Sequence, residues 1–168
     1  GMTYLHTEFR KPVIHRDLKS LNLMLNSPPS EGDISVKITD FGLTRKLHGN
    51  STESAATSTV AGAAGSTLWM APEILLGHQY NEKVDVFSFA MCLVELVHGT
   101  MPWQDTGVRP HEVPMKVTND ERPESQLDEA TEPMKRLIRD CWHKSPKERP
   151  DFPEIVQRVQ EMVHAQLD

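Results

Sequence analysis

Apolar positions along this chain fall into two patterns. Between Val84 and Val97 almost every residue is apolar, and only Asp85, Ser88 and Glu95 interrupt the run. A helix that is hydrophobic on all sides belongs inside a protein, so the pattern predicts a buried helix over Glu82–Val97, with Asn81 capping its start and Gly99 its end. The run is well short of the ~20 apolar residues that a bilayer span requires. From Phe152 to about Ala165 the spacing of Ile155, Val156, Val159, Met162 and Val163 predicts an amphipathic helix, and Asp151 with Glu154 makes a start like a capping box. A third helix fits Glu132–Trp142 behind Thr131. Ala71–Leu76 reads as a short helical turn, and Met2, Leu5 and His6 as a helix end stopped by Pro12. Pro102, Pro110, Pro114 and Pro123 leave room only for short helical pieces between them, the best being Pro114–Thr118.

Strand signals are few. Leu23–Asn26 and Val36–Thr39 are short β-leaning runs on either side of the turn-rich Ser27–Asp33, which predicts a hairpin. Residues 44–67 are rich in Ser, Thr, Ala and Gly without apolar periodicity and are expected to form a mobile loop. The fold class expected is therefore mainly α with one small β-hairpin, and there are no internal repeats.

Composition narrows the partners. With 168 residues, 38% of them hydrophobic, the chain can build a single core. Its net charge of −6 lacks the basic excess with which nucleic-acid and anionic-membrane binders neutralise phosphates. Cys92 and Cys141 sit in apolar helical patterns without a CxxC pair, and no secretory segment is present, so a reduced, cytoplasmic setting is expected. None of the eight histidines forms an HxxxH pair, which argues against a metal site built on them. The chain opens on Gly1 directly inside a helical pattern, as expected of a cut through an element.

Candidate chemistry lies in three ordered strings: His15-Arg16-Asp17-Leu18-Lys19-Ser20-Leu21-Asn22, then Asp40-Phe41-Gly42, then Ala71-Pro72-Glu73. Each alone is weak, because a few polar residues on a loop usually mark a solvated turn. In this order they resemble a eukaryotic-type protein kinase. Phosphoryl transfer needs its nucleophile oriented, its metal held and its developing charge neutralised. The resemblance implies that Asp17 orients the substrate hydroxyl and takes its proton, and that Lys19 meets the transferring phosphate. It implies that Asn22 and Asp40 offer oxygens to Mg²⁺ on the phosphates of ATP. Met24 falls where kinases place the apolar residue beneath the adenine, although a core strand residue explains it equally.

The same resemblance extends along the whole chain. It implies a kinase large (C-terminal) lobe over residues 1–168, with the activation segment at 40–73 and the small lobe absent. Asp85 matches a central-helix aspartate that accepts catalytic-loop amides; a carboxylate on so apolar a helix needs donors, though a helix N-terminal position accounts for part of its presence. Glu73 and Arg149 match a structural ion pair, His15 and Phe41 an internal apolar stack, and Ser66 a hydroxyl contacting Asp17 and Lys19. Arg16 is the form linked to control by phosphorylation of the activation segment by an upstream kinase. Ser51, Thr52, Ser54, Thr57, Ser58 and Thr59 are the acceptors on offer, with Arg45 and Lys46 as further cations, while linker composition explains the same residues. Phe87 stands where tryptophan is common.

Lys19 and the string Gly65–Glu73 look most like the tyrosine-kinase-like group of serine/threonine kinases, including Raf-type and mixed-lineage kinases. The function implied is transfer of the γ-phosphoryl group of ATP to Ser or Thr of a protein substrate in intracellular signalling. The alternative is a non-catalytic, kinase-like interaction module. Residues 1–168 contain neither a glycine-rich loop nor a strand lysine ahead of the catalytic string, so as an isolated chain they are expected to have little activity and to expose an apolar upper face.

Overall fold

The computed structural model describes residues 1–28, 34–41, 45–46 and 66–165. It is helix-rich. In chain order the elements are α1 (Met2–Thr7), β1 (Val13–Ile14), β2 (Leu23–Leu25), β3 (Val36–Ile38), β4 (Arg45–Lys46), α2 (Pro72–Leu75), α3 (Lys83–His98), α4 (Val113–Thr118), α5 (Glu132–Cys141) and α6 (Phe152–His164).

The long apolar run becomes α3, the axis of the core. Val84, Val86, Phe87, Ala90, Met91 and Val94 are all fully buried. Against α3 lies α5, contributing Leu137, Ile138 and Cys141, while α6 turns Phe152 and Ile155 inward and touches α1. Gly99 ends α3 at φ 80°, a left-handed conformation that costs a residue without Cβ little, and its N–H returns to the Glu95 carbonyl at 2.8 Å. At the other end the Asn81 side chain accepts from the Lys83 N–H at 3.1 Å, and Glu82 rather than Asn81 occupies the cap position.

The other helix starts differ in detail from the sequence reading. Asp151 caps α6 by accepting from the Glu154 N–H at 2.9 Å. The reciprocal half of a capping box is missing because the Glu154 carboxylate turns to Arg158. Thr131 precedes α5 with extended backbone, but its side chain makes no capping bond.

Strands β2 and β3 form the expected antiparallel hairpin, pairing Leu23 with Ile38, Met24 with Lys37 and Leu25 with Val36. A second pair was not foreseen: β1 and β4 run antiparallel, with Val13 opposite Lys46 and Ile14 opposite Arg45. The expectation of a mobile loop over 44–67 is thereby corrected at its two ends, where the chain forms regular structure. Val13 and Ile14 are buried, β-branched residues whose peptide groups need partners, and the backbone of 45–46 supplies them. At the far end Thr67–Trp69 forms a 3₁₀ turn with Trp69 buried. The stretch between, with the six Ser and Thr candidates at 51–59, lies outside the described residues. Among the described residues no helix is long and apolar enough to cross a membrane.

Candidate active site

The segment 15–22 carries the candidate chemistry, and α3 holds it from below. Asp85, fully buried in the first turn of α3, accepts from the backbone N–H groups of His15 and Arg16, each at 2.9 Å. Its Oδ2 also lies 2.9 Å from Nε2 of His6 on α1. These bonds stabilise a bend that the chain would not otherwise favour, since Arg16 sits at φ 69°. A non-glycine residue there costs on the order of 1–2 kcal/mol.

His15 ties this loop to the hairpin. Its Nδ1 accepts from the Asp17 N–H at 3.3 Å, which leaves Nε2 as the protonated nitrogen donating to the Thr39 carbonyl at 3.0 Å. Its ring packs edge-on against Phe41 at a centroid distance of 5.1 Å. The Thr39 N–H in turn donates to the Asn22 carbonyl at 2.9 Å. Two adjoining ties therefore fix the spacing between the loop and Asp40, which itself stands exposed at φ 62°.

Asp17, Lys19, Asn22 and Ser66 meet at one point. The Lys19 ammonium donates to Oδ2 of Asp17 and to Oγ of Ser66, both at 2.8 Å. The Asn22 amide nitrogen donates to the Asp17 carbonyl at 2.7 Å and reaches Oδ2 at 3.2 Å. Three of these residues, Asp17, Asn22 and Ser66, are buried, so their charges and dipoles act in a medium that screens less than water. With its nitrogen committed to Asp17, the Asn22 amide turns its oxygen the other way. Asn22 and Asp40 are the residues whose oxygens could hold a hard cation that completes its shell with water and phosphate. Among the described residues there is no cluster of three or more His, Cys, Asp or Glu that would by itself hold a metal.

The remaining sequence candidates lie apart from that point. Met24 is 54% exposed on β2. Arg16 donates to the Tyr80 hydroxyl at 3.1 Å. Glu73 and Arg149 form a buried, two-pronged ion pair at 2.7 and 2.9 Å. The Arg149 guanidinium also reaches the carbonyls of Lys83, His143 and Lys144, which satisfies its remaining donors. Two guanidinium groups, those of Arg122 and Arg149, pack over the Phe87 ring, each 5.2 Å from its centroid. Burial holds Arg122 below the usual arginine range, and neighbouring Arg149 pushes in the same direction.

Four further residues about the loop escaped the sequence reading: His6, Tyr80, Ser88 and Glu95. The Ser88 hydroxyl donates to the Trp69 carbonyl at 2.8 Å. Glu95 accepts from the Ser20 hydroxyl and from the Trp69 indole N–H, both at 2.7 Å. A signal for two of them was present. Asp85, Ser88 and Glu95 are the only polar residues of the apolar run, and at 100° per residue they fall on one stripe of the helix.

Comparison with known proteins adds an independent finding. Residues 1–159 match the family model described as protein tyrosine and serine/threonine kinase. The human protein named mitogen-activated protein kinase kinase kinase 11 is 38% identical over 177 residues, an alignment covering 99% of this chain and 19% of that protein. A probable serine/threonine-protein kinase of Dictyostelium discoideum is 39% identical over 162 residues, covering 96% of this chain and 16% of its own length. The serine/threonine-protein kinase VIK of Arabidopsis thaliana is 35% identical over 162 residues, covering 96% of this chain and 35% of its own length. The chain thus spans between about a sixth and about a third of these relatives.

Proposed function

We propose that this chain, which belongs to the protein tyrosine and serine/threonine kinase family, forms the part of a serine/threonine kinase that orients the acceptor hydroxyl for phosphoryl transfer from ATP. The observation that carries this reading is the Asp17–Lys19–Ser66 contact, two bonds of 2.8 Å from one ammonium. A carboxylate and an ammonium held this closely can take a proton at one atom and offset developing negative charge at the next.

On this reading residues 1–168 are a kinase large lobe, and 40–73 are its activation segment. Oδ2 of Asp17 is occupied by Lys19 and Asn22, so Oδ1 is the oxygen that orients a Ser or Thr hydroxyl of a protein substrate. As the hydroxyl oxygen bonds to the γ-phosphorus, the bond from phosphorus to the leaving oxygen breaks and the proton passes to Asp17. Lys19 neutralises charge on the moving phosphoryl group, and Ser66 fixes the direction of its ammonium. Asn22 and Asp40 would hold Mg²⁺, whose part is to neutralise the nucleotide phosphates. Met24 would lie beneath the adenine. Arg16, held by Tyr80, would receive a phosphate placed on the activation segment by an upstream kinase. The setting on this reading is intracellular signalling.

The test is peptide phosphorylation by the full-length protein with ATP and Mg²⁺, comparing wild type with Asp17→Asn. Loss of a general base lowers kcat by about 10²–10⁴-fold. Activity retained by the variant removes Asp17 from the role. An inactive wild type leaves the alternative, a kinase-like module that binds without catalysing, as the reading to pursue.

A further inference from the structure

A cleft of about 450 Å³ lies between two segments that carry no reacting group. Gln79, Tyr80 and Asn81, just ahead of α3, form one wall, and Ser145, Pro146 and Lys147, between α5 and α6, form the other. Its polar groups are donors with unused capacity. Oδ1 of Asn81 accepts from the Lys83 N–H at 3.1 Å, which leaves the amide NH₂ without an acceptor among the described residues. The Tyr80 hydroxyl accepts from Arg16 at 3.1 Å, while its own proton has no acceptor among the described residues. Lys147 is exposed and, like Lys144, makes no ion pair among the described residues. None of the lining residues is Asp or Glu. Such a wall suits an anion.

The chain can supply that anion itself. Ser145 is followed by Pro146 and flanked by Lys144 and Lys147. Its backbone is fixed: the Ser145 N–H donates to Nδ1 of His143 at 3.1 Å, and Arg149 holds the carbonyls of His143 and Lys144 at 2.8 and 3.3 Å. The hydroxyl, by contrast, makes no capping bond to the turn that follows and no other hydrogen bond among the described residues. Ser145 is half-buried and extended, at φ −79° and ψ 121°, as a following proline requires. A hydroxyl on extended chain, followed by a residue with fixed φ and no N–H and then by a cation, is what a proline-directed kinase can tell from other serines. The other Ser-Pro pair, Ser27-Pro28, is followed by a second proline and has no lysine or arginine beside it.

We propose that Ser145 is a phosphorylation site for a proline-directed protein kinase, and that its phosphate seats in this cleft against Lys147, Asn81 and Tyr80. In the modification the Ser145 oxygen bonds to the γ-phosphorus of ATP, the bond from that phosphorus to the departing ADP oxygen breaks, and the hydroxyl proton passes to the modifying kinase. There is room for the group, since a water takes up only about 30 Å³. Phosphoserine brings about −1.5 to −2 charge and three acceptor oxygens, which matches the unused donors of the wall. Linked hydrogen bonds polarise one another, so a bond from Tyr80 to the phosphate strengthens the one that Tyr80 accepts from Arg16. The modification thereby reaches the residue before Asp17. The site does not depend on this chain transferring phosphate itself.

The experiment treats the full-length protein with a purified proline-directed kinase and ATP, against a mock reaction with ATP alone. Wild type is compared with Ser145→Ala, Lys147→Gln and Tyr80→Phe, and a synthetic peptide of residues 140–150 is the unfolded control. Mass spectrometry maps the phosphate, a broad-specificity phosphatase times its removal, and phenylglyoxal labelling reads the exposure of Arg16. Wild type gains phosphate at Ser145, and Ser145→Ala loses that signal. The phosphatase clears the folded protein about tenfold more slowly than the peptide, because a seated phosphate must first leave the cleft, and Lys147→Gln removes most of the difference. Arg16 labels less after phosphorylation in wild type, but not in Tyr80→Phe.

The inference is overturned if the folded protein takes no phosphate at Ser145, whether or not the peptide does. Phosphate at Ser145 that leaves the folded protein as fast as the peptide overturns the seat in the cleft. Arg16 labelling that is the same before and after phosphorylation overturns the link through Tyr80.

Discussion

The loop 15–22 and the β2–β3 hairpin lie next to each other and are built on opposite principles. Beneath the loop, α3 presents Asp85, Ser88 and Glu95, and every one of them accepts from or donates to the segments that carry Asp17 and Ser66. The hairpin is held differently: its Thr39 end is tied to the loop through His15 and Asn22, and Leu23 and Ile38 pack partly buried against the core. Met24, Leu25 and Val36 on its strands are exposed, as is Phe41 beyond it. One region is fixed by buried charge, whereas the other turns an apolar face outward on a ladder that packs at one end against the core. Buried carboxylates are costly unless donors surround them, and here the donors are the loop itself. Packing and positioning are thus the same set of bonds on one side of the site and separate matters on the other.

The sharpest way to break this contrast is Asp85→Ala. It leaves the amides of His15 and Arg16 buried without their charged acceptor, and each such bond contributes about 1.5–3 kcal/mol. The expected loss is about 3–5 kcal/mol of folding stability, read from urea denaturation with an unchanged slope. A loss under about 1 kcal/mol would mean that the loop is not held from α3.

A smaller effect tests how closed the interior is. Burial pushes the Cys92 thiol up, with Glu95 adding to it, and pushes the Cys141 thiol up to about 12. Both folded values lie above the unfolded value near 9.0. The stability that this adds is fully present below pH 9 and is lost as pH rises through the folded values, because only the unfolded chain ionises early. The folded protein should react with a thiol reagent at pH 8 far more slowly than the urea-unfolded chain. Equal rates would show that water reaches this interior.

The smallest effect belongs to the hairpin. Val36→Thr should change stability by less than about 0.5 kcal/mol, as exposed substitutions do, while lowering self-association in light scattering. A large loss of stability would instead make the hairpin part of the core.

Much of this architecture is legible in the chain. Periodicity finds α3 and α6, and the ordered strings name Asp17, Lys19 and Asn22, which the structure brings into contact, because these signals lie within short windows. What escapes is long-range. The resemblance names the donors of Asp85, but Glu95 meets Ser20 across 75 positions, so Ser88 and Glu95 read only as blemishes in an apolar run. His6 looks like the end of a helix, although it is the third group on Asp85. The β1–β4 pair is two residues long on each side, too short for alternation to mark it.

The ring of Phe87, with two guanidinium groups packed over it and Glu73 bridging to one of them, has a consequence for ionic strength. Mobile ions screen exposed charges within about 10 Å at 0.1 M but cannot enter a packed interior. Added salt should therefore relax the rim pairs Arg109–Glu112, Lys116–Glu121 and Arg139–Glu124, while the stack around Phe87 keeps its geometry. The molecule carries its charges in two compartments, one that answers to the solution and one that does not.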